Sequence, residues 1–70
     1  MERTSIKSSN LRSIGYDPKS QILEIEFNNG SIYQYLRVLP LIYESLMESA
    51  SKGSYLNKCI KGKCQFKRIR

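Results

Sequence analysis

The run Ile22-Leu23-Glu24-Ile25-Glu26-Phe27 is followed by Asn28-Asn29-Gly30 and then by Ser31-Ile32-Tyr33-Gln34-Tyr35. Leu23, Ile25 and Phe27 alternate with Glu24 and Glu26, the period-two pattern of a strand with one face in a core and one in water. Asn and Gly tolerate positive φ, so Asn28-Asn29-Gly30 reverses the chain, and Ile32 to Val38 returns as the next strand. Two registers satisfy this hairpin. A three-residue loop, Asn28 to Gly30, sets Phe27 opposite Ser31 and puts Tyr33 and Tyr35 on the face of Leu23, Ile25 and Phe27. A two-residue loop, Asn29-Gly30, puts both tyrosines beside Glu24 and Glu26, because a one-residue slip exchanges the faces. Hairpin preferences favour the three-residue form, a type I turn with glycine in the bulge position. In that register the tyrosines are core, and Ile32 and Leu36 form an exposed apolar patch.

Toward the N-terminus, Leu11 to Tyr16 is a further strand with Ile14 and Tyr16 on one face, joined to the hairpin by Asp17-Pro18-Lys19-Ser20, a type I turn. Residues 1–10 are polar apart from Ile6 and the initiator, and are assigned as a flexible lead-in to a single domain over 11–70. Toward the C-terminus, Pro40 suits a helix's first turn. Ile42, Tyr43, Leu46, Met47 and Ala50 follow at helical spacing, with Glu44, Glu48 and Ser49 on the other side. Gly53 is placed as the left-handed cap of that helix. Ser54 is placed as the N-cap of a short second helix carrying Tyr55, Leu56, Cys59 and Ile60, and Gly62 ends it. Gln65 to Ile69 then supplies a basic edge strand. The expected fold is α+β: an antiparallel three-stranded meander covered by one helix, then a short second helix and a C-terminal edge strand.

Seventy residues bury only about 60% of the surface that the unfolded chain exposes, so the core is small and leaves no room for a walled cleft. The chain has no histidine, the commonest general acid–base near neutral pH. Glu24 and Glu26, about 7 Å apart by strand rise, are its one close acidic pair; they are read as a solvated strand face. Cys59 and Cys64 cannot close a four-ligand zinc site, and their spacing is not that of a redox Cys-x-x-Cys. Two thiols acting as small apolar residues is the preferred reading, with a disulfide across Gly62 as the alternative. No catalytic residue, cofactor or metal is expected. Without a long apolar run or a signal segment, the expected setting is cytoplasmic, with no membrane partner.

Charge is the strongest functional signal. Twelve Lys and Arg oppose six acids, a net charge of +6. From Lys52 onward there are seven cations and no acid, whereas the preceding residues carry a net −1. Such a field attracts polyanions, nucleic acid first among them. Tyrosine on a sheet also stacks on unpaired bases in several RNA-binding modules.

The ordered set Ser13-Ile14-Gly15-Tyr16-Asp17, Leu23-Glu24-Ile25-Glu26-Phe27, Tyr33-Gln34-Tyr35 with Val38 and Pro40, and Ser51-Lys52-Gly53-Ser54-Tyr55-Leu56-Asn57 before Ile60-Lys61 resembles the KTSC domain family. The resemblance runs from about Ser9 to Ile69. That family is named for a segment at the C-terminus of some lysyl-tRNA synthetases and also occurs as small bacterial and phage proteins. The resemblance implies a bacterial-type small domain whose activity is not established and for which RNA binding is suggested. Family members commonly carry an aromatic where this chain has Cys64.

Two functional expectations follow. In the first, the chain is a non-catalytic RNA-binding module for tRNA or another structured RNA. Lys58, Lys61, Lys63, Lys67, Arg68 and Arg70 contact phosphates, Ser54 and Asn57 add hydrogen bonds, and Tyr33, Tyr35 and Arg37 provide stacking with a cation beside it. In the second, it is a protein-interaction module that binds an acidic partner or pairs weakly with itself, and is otherwise a monomer.

Overall fold

Leu11 and Ile14 are both almost fully buried, although a spacing of three in a regular strand would send them to opposite faces. In the computed structural model, which describes residues 2–70, a β-bulge resolves the conflict. Leu11 pairs with Phe27, but Ser13 pairs with Glu26, so Arg12 is the extra residue, and both apolar side chains reach one core. Five antiparallel strands form one sheet in the order β1-β2-β3-β4-β5: β1 Arg3–Ser5, β2 Leu11–Asp17, β3 Ile22–Phe27, β4 Ile32–Tyr35 and β5 Phe66–Arg68. Helices α1 (Pro40–Glu48) and α2 (Lys52–Tyr55) follow β4, and α2 runs into a π-helical turn over Leu56–Ile60.

The central hairpin adopts the three-residue loop. Leu23 lies opposite Tyr35 and Ile25 opposite Tyr33. The Phe27 N–H donates to the Ser31 carbonyl at 2.9 Å and the Gly30 N–H to Phe27 at 3.0 Å. Gly30 sits at φ 93°, as the bulge position requires. The β2–β3 connection is longer than a simple four-residue turn from Asp17 to Ser20. Asp17 pairs with Ile22 across Pro18 to Gln21, and Gln21 takes a left-handed φ of 58°. The Asp17 carboxylate organises this loop, accepting from the Lys19 N–H at 3.1 Å and the Ser20 hydroxyl at 2.9 Å.

Several expectations need correction. The sheet has five strands rather than three plus an edge, because the polar N-terminal stretch supplies β1, which pairs Arg3 with Gly15 and Ser5 with Ser13. β4 stops at Tyr35, short of Val38, because Arg37 turns at φ 58°. Val38 then enters the core, its N–H donating to Gln21 at 2.8 Å. Helix α1 ends at Glu48, and Ala50 is exposed beyond it. Gly53 is not a left-handed cap but a buried residue inside α2, and the N-cap is Ser51, whose hydroxyl accepts from the Ser54 N–H at 3.4 Å. Ile32 is 6% exposed rather than open. The chain beyond β5 shields it, with bonds linking Ile32 to Arg70 and Ile69 at 2.8 Å each.

The helices cover one sheet face. Leu11, Ile14, Leu23, Ile25, Tyr35, Val38, Leu46, Leu56 and Ile60 form the core. A fully buried Leu or Ile contributes about 1.5–3 kcal/mol, so this covered face, more than any turn, carries the stability. Tyr43 of α1 stacks on Tyr16 with ring centres 4.5 Å apart, and the Tyr16 hydroxyl donates to the Val38 carbonyl. Cys59 and Cys64 are free thiols, half-buried against the core. No helix among the described residues is long and apolar enough to cross a membrane.

Candidate nucleic-acid interface

The π turn changes which side chains meet the sheet. An ordinary helical turn closes between residues four apart, but here the Lys61 N–H donates to Leu56, five residues earlier, at 2.8 Å. Leu56 and Ile60 fill the core, while Asn57 and Lys61 stand at the rim of a groove of about 690 Å³. The groove lies between the π turn, the Phe27 end of the sheet and the segment before β2. Phe27, Tyr33 and Phe66 provide its aromatic surface. Tyr33 meets Phe27 edge-on at 5.6 Å and 89°, and Phe66 at 5.6 Å and 40°. The Lys61 ammonium lies 5.0 Å from the Phe27 ring centre, and the Arg68 guanidinium 5.9 Å from that of Tyr33.

Four asparagines surround the groove, and two of them are structural. The Asn28 amide donates to the Ser8 and Ser9 carbonyls at 3.3 and 2.9 Å, tying the segment before β2 to the hairpin. The Asn29 carbonyl accepts from the Ser31 N–H at 3.0 Å and its hydroxyl at 2.6 Å. Asn10 and Asn57 are exposed, and their side chains form no hydrogen bond among the described residues.

The residues singled out from sequence do not converge on one place. Tyr33 is half-buried in the groove wall, but Tyr35 is 2% exposed and offers no face for stacking. Its side chain is core because the three-residue loop points it under the helices. Burial, with the neighbouring Tyr33, also raises its phenol pKa. Arg37 is exposed beyond the far end of β4, away from the groove. Ser54 is engaged with Ser51, their hydroxyls 3.1 Å apart, as a capping pair. Lys58 and Lys63 are exposed on the π turn and the loop after it. Strand β5 splits Lys67 and Arg68 by alternation, and Arg70 lies beyond its end. Arg68 pairs with Tyr33 on the helix side, whereas Lys67 pairs with Gln34 on the outer face, where Arg70 lies 3.6 Å from Glu26.

That outer face holds what the reading of a solvated acidic pair missed. Glu24 is 7% exposed, and its carboxylate accepts from Arg3 and, at 2.9 Å, from Gln34. Glu26 accepts from the Ser13 hydroxyl at 2.9 Å. Burial pushes the Glu24 carboxyl up, but the hydrogen bonds from Gln34 and Arg3, with the Arg3 charge, outweigh it and hold the pKa below the ordinary value. Both carboxylates are thus committed to holding the sheet face together. Phe27, Phe66 and Asn10 were also missed; a phenylalanine inside the basic C-terminal run was the available signal for Phe66.

Comparison with known proteins sets this geometry in a family. The KTSC domain model matches residues 7–66. An uncharacterized protein of Stutzerimonas stutzeri is 46% identical over 61 residues, covering 87% of this chain and 86% of that protein. A lysine–tRNA ligase of Nostoc punctiforme is 41% identical over 63 residues, covering 90% of this chain but only 11% of the ligase. The crystal structure of a KTSC domain protein from Yersinia pestis superposes with a TM-score of 0.93 at 40% identity, covering 99% of this chain and 97% of that one. With the sequence pattern and the whole sheet-and-helix arrangement both matched, the chain belongs to the KTSC domain family.

Proposed function

We propose that this domain is a non-catalytic RNA-binding module that takes tRNA or another structured RNA through its C-terminal cations. The observation that carries the reading is electrostatic. Lys58, Lys61, Lys63, Lys67 and Arg68 are exposed, and none forms an ion pair among the described residues. Lys61 lines the aromatic groove, Arg68 lies over its Tyr33, and Lys58 and Lys63 are exposed on the adjoining turn and loop. This arrangement suits a phosphate backbone with bases next to it, while Lys67 adds its charge from the outer sheet face. A stretch of similar sequence within a lysine–tRNA ligase supports RNA as the polyanion.

Fluorescence anisotropy with labelled tRNA and with a short single strand tests the reading. If five cations each neutralise a phosphate, raising salt from about 50 to 200 mM lowers affinity about 100- to 500-fold. Absence of binding at the lower salt rejects the proposal. A second reading, self-association or an acidic protein partner, draws on Phe66 and Ile69, which are 57% and 50% exposed along edge strand β5 and the residues after it. A native mass above that of the monomer at micromolar concentration would favour it.

A further inference from the structure

Asn10 and Asn57 present free amides at the rim of the groove, each able both to donate and to accept. Beside them Phe66 is more than half exposed, and the half-buried Phe27 ring, met edge-on by Tyr33, has the exposed Lys61 ammonium 5.0 Å from its centre. A surface site built only for phosphate has no use for this combination. Resting on the RNA reading, we infer that the groove receives one unpaired RNA base, held against the aromatic side chains with its edge on the two amides and its phosphate on Lys61.

Size, shape and charge each support that occupant. The groove volume falls within the range of small-ligand sites. A base in a duplex has its edge already paired and its faces stacked, so only an unpaired base can use both amides and rings. The Lys61 side chain can leave Phe27 as the base arrives, exchanging a ring for a phosphate while keeping its charge beside the nucleotide. Gly53 lines the groove beside the same amide, where an added Cβ would only touch the Asn10 amide nitrogen, at 3.4 Å, so the groove wall here is bare backbone.

The test compares a short single-stranded RNA with a strand of the same length and phosphate number whose riboses lack bases. Anisotropy titrations of both use the wild-type domain, Asn57→Ala and Lys63→Ala. The base receptor predicts that the abasic strand binds about ten- to a hundredfold more weakly to the wild type. Asn57→Ala should narrow that gap by weakening only the intact strand, while Lys63→Ala, on the exposed loop next to the groove residue Gly62, weakens both strands equally. Equal wild-type affinity for the two strands overturns the base receptor and leaves the phosphate-binding reading standing. Failure of both strands and of tRNA to bind at low salt overturns the RNA reading itself, and the base receptor with it.

Discussion

Replacing Glu24 with glutamine tests whether the outer sheet face is a structural ion network. Glu24→Gln preserves volume and still offers Gln34 an acceptor, but it sets an amide where a carboxylate faced the Arg3 guanidinium. A charge-assisted hydrogen bond is worth about 1.5–3 kcal/mol. The Arg3 side chain is 28% exposed and already 4.0 Å from Glu26, so part of the loss is recovered by water and by that second carboxylate. The expected cost is about 1–2 kcal/mol, which lowers the melting temperature of a domain this small by about 5–15 °C. The pH dependence is more diagnostic. The folded-state pKa of Glu24 lies below its ordinary value, so its contribution is complete above the unfolded pKa and disappears as pH falls through the folded one. Thermal melts of both proteins, followed by circular dichroism from about pH 7 to about pH 2, should therefore show a gap that closes in acid. Asp17, whose pKa is also lowered by its bonds from Ser20 and Lys19, titrates in both proteins and cancels from the difference. Equal stability at neutral pH, or a gap that stays constant into acid, would refute the reasoning.

Three further outcomes are expected. Gly30→Ala should cost about 1 kcal/mol in urea denaturation, all of it backbone strain, because a Cβ at φ +93° meets no atom within 4 Å. Tyr16→Phe should cost about 1 kcal/mol by removing the hydrogen bond to Val38; Tyr16→Leu should cost more, since the stack on Tyr43 goes too. In RNA titrations, Lys61→Ala should weaken binding and reduce the salt slope by about one. Arg70→Ala should change that slope less, because Arg70 already leans on Glu26.

The parts of this fold legible in sequence are those fixed by local chemistry. Alternation in Ile22 to Phe27 and the Asn-Asn-Gly turn were enough to predict the register that buries Tyr35, and Pro40 marked the start of α1. What stayed hidden depended on distant partners. Arg3 to Ser5 carries no strand signal, and β1 forms because the free edge of β2 accepts it. Ser51 caps α2 in place of Ser54, and Gly53 is buried inside that helix beside Asn10, forty-three positions away in the chain. The π turn was invisible for the same reason: Tyr55, Leu56, Cys59 and Ile60 suit an α-helix equally well, and only core packing chooses the wider turn. The groove follows from that choice, so Asn57 and Lys61 could be picked as candidates while their meeting with Phe27, Phe66 and Asn10 could not.

The C-terminal charge count overstates the field available to a polyanion and omits its direction. Arg70 is drawn toward Glu26 and Arg3 is bound to Glu24, so the outer sheet face offsets much of its own charge, and Lys67 is the cation of β5 left unpaired there. On the opposite side Arg68 lies over Tyr33 and Lys61 over Phe27, with no carboxylate lining the groove between them. Strand alternation divides Lys67 from Arg68, and Arg70, beyond the end of β5, departs from that alternation to reach Glu26. Moving β5 by one residue against β4 would put Lys67 over Tyr33 and send Arg68 outward beside the carboxylates, with composition and net charge unchanged. The positive field on this side is therefore a property of the β4–β5 register as much as of the number of lysines. A substitution that unpairs β5 should weaken RNA binding while every cation remains in the chain.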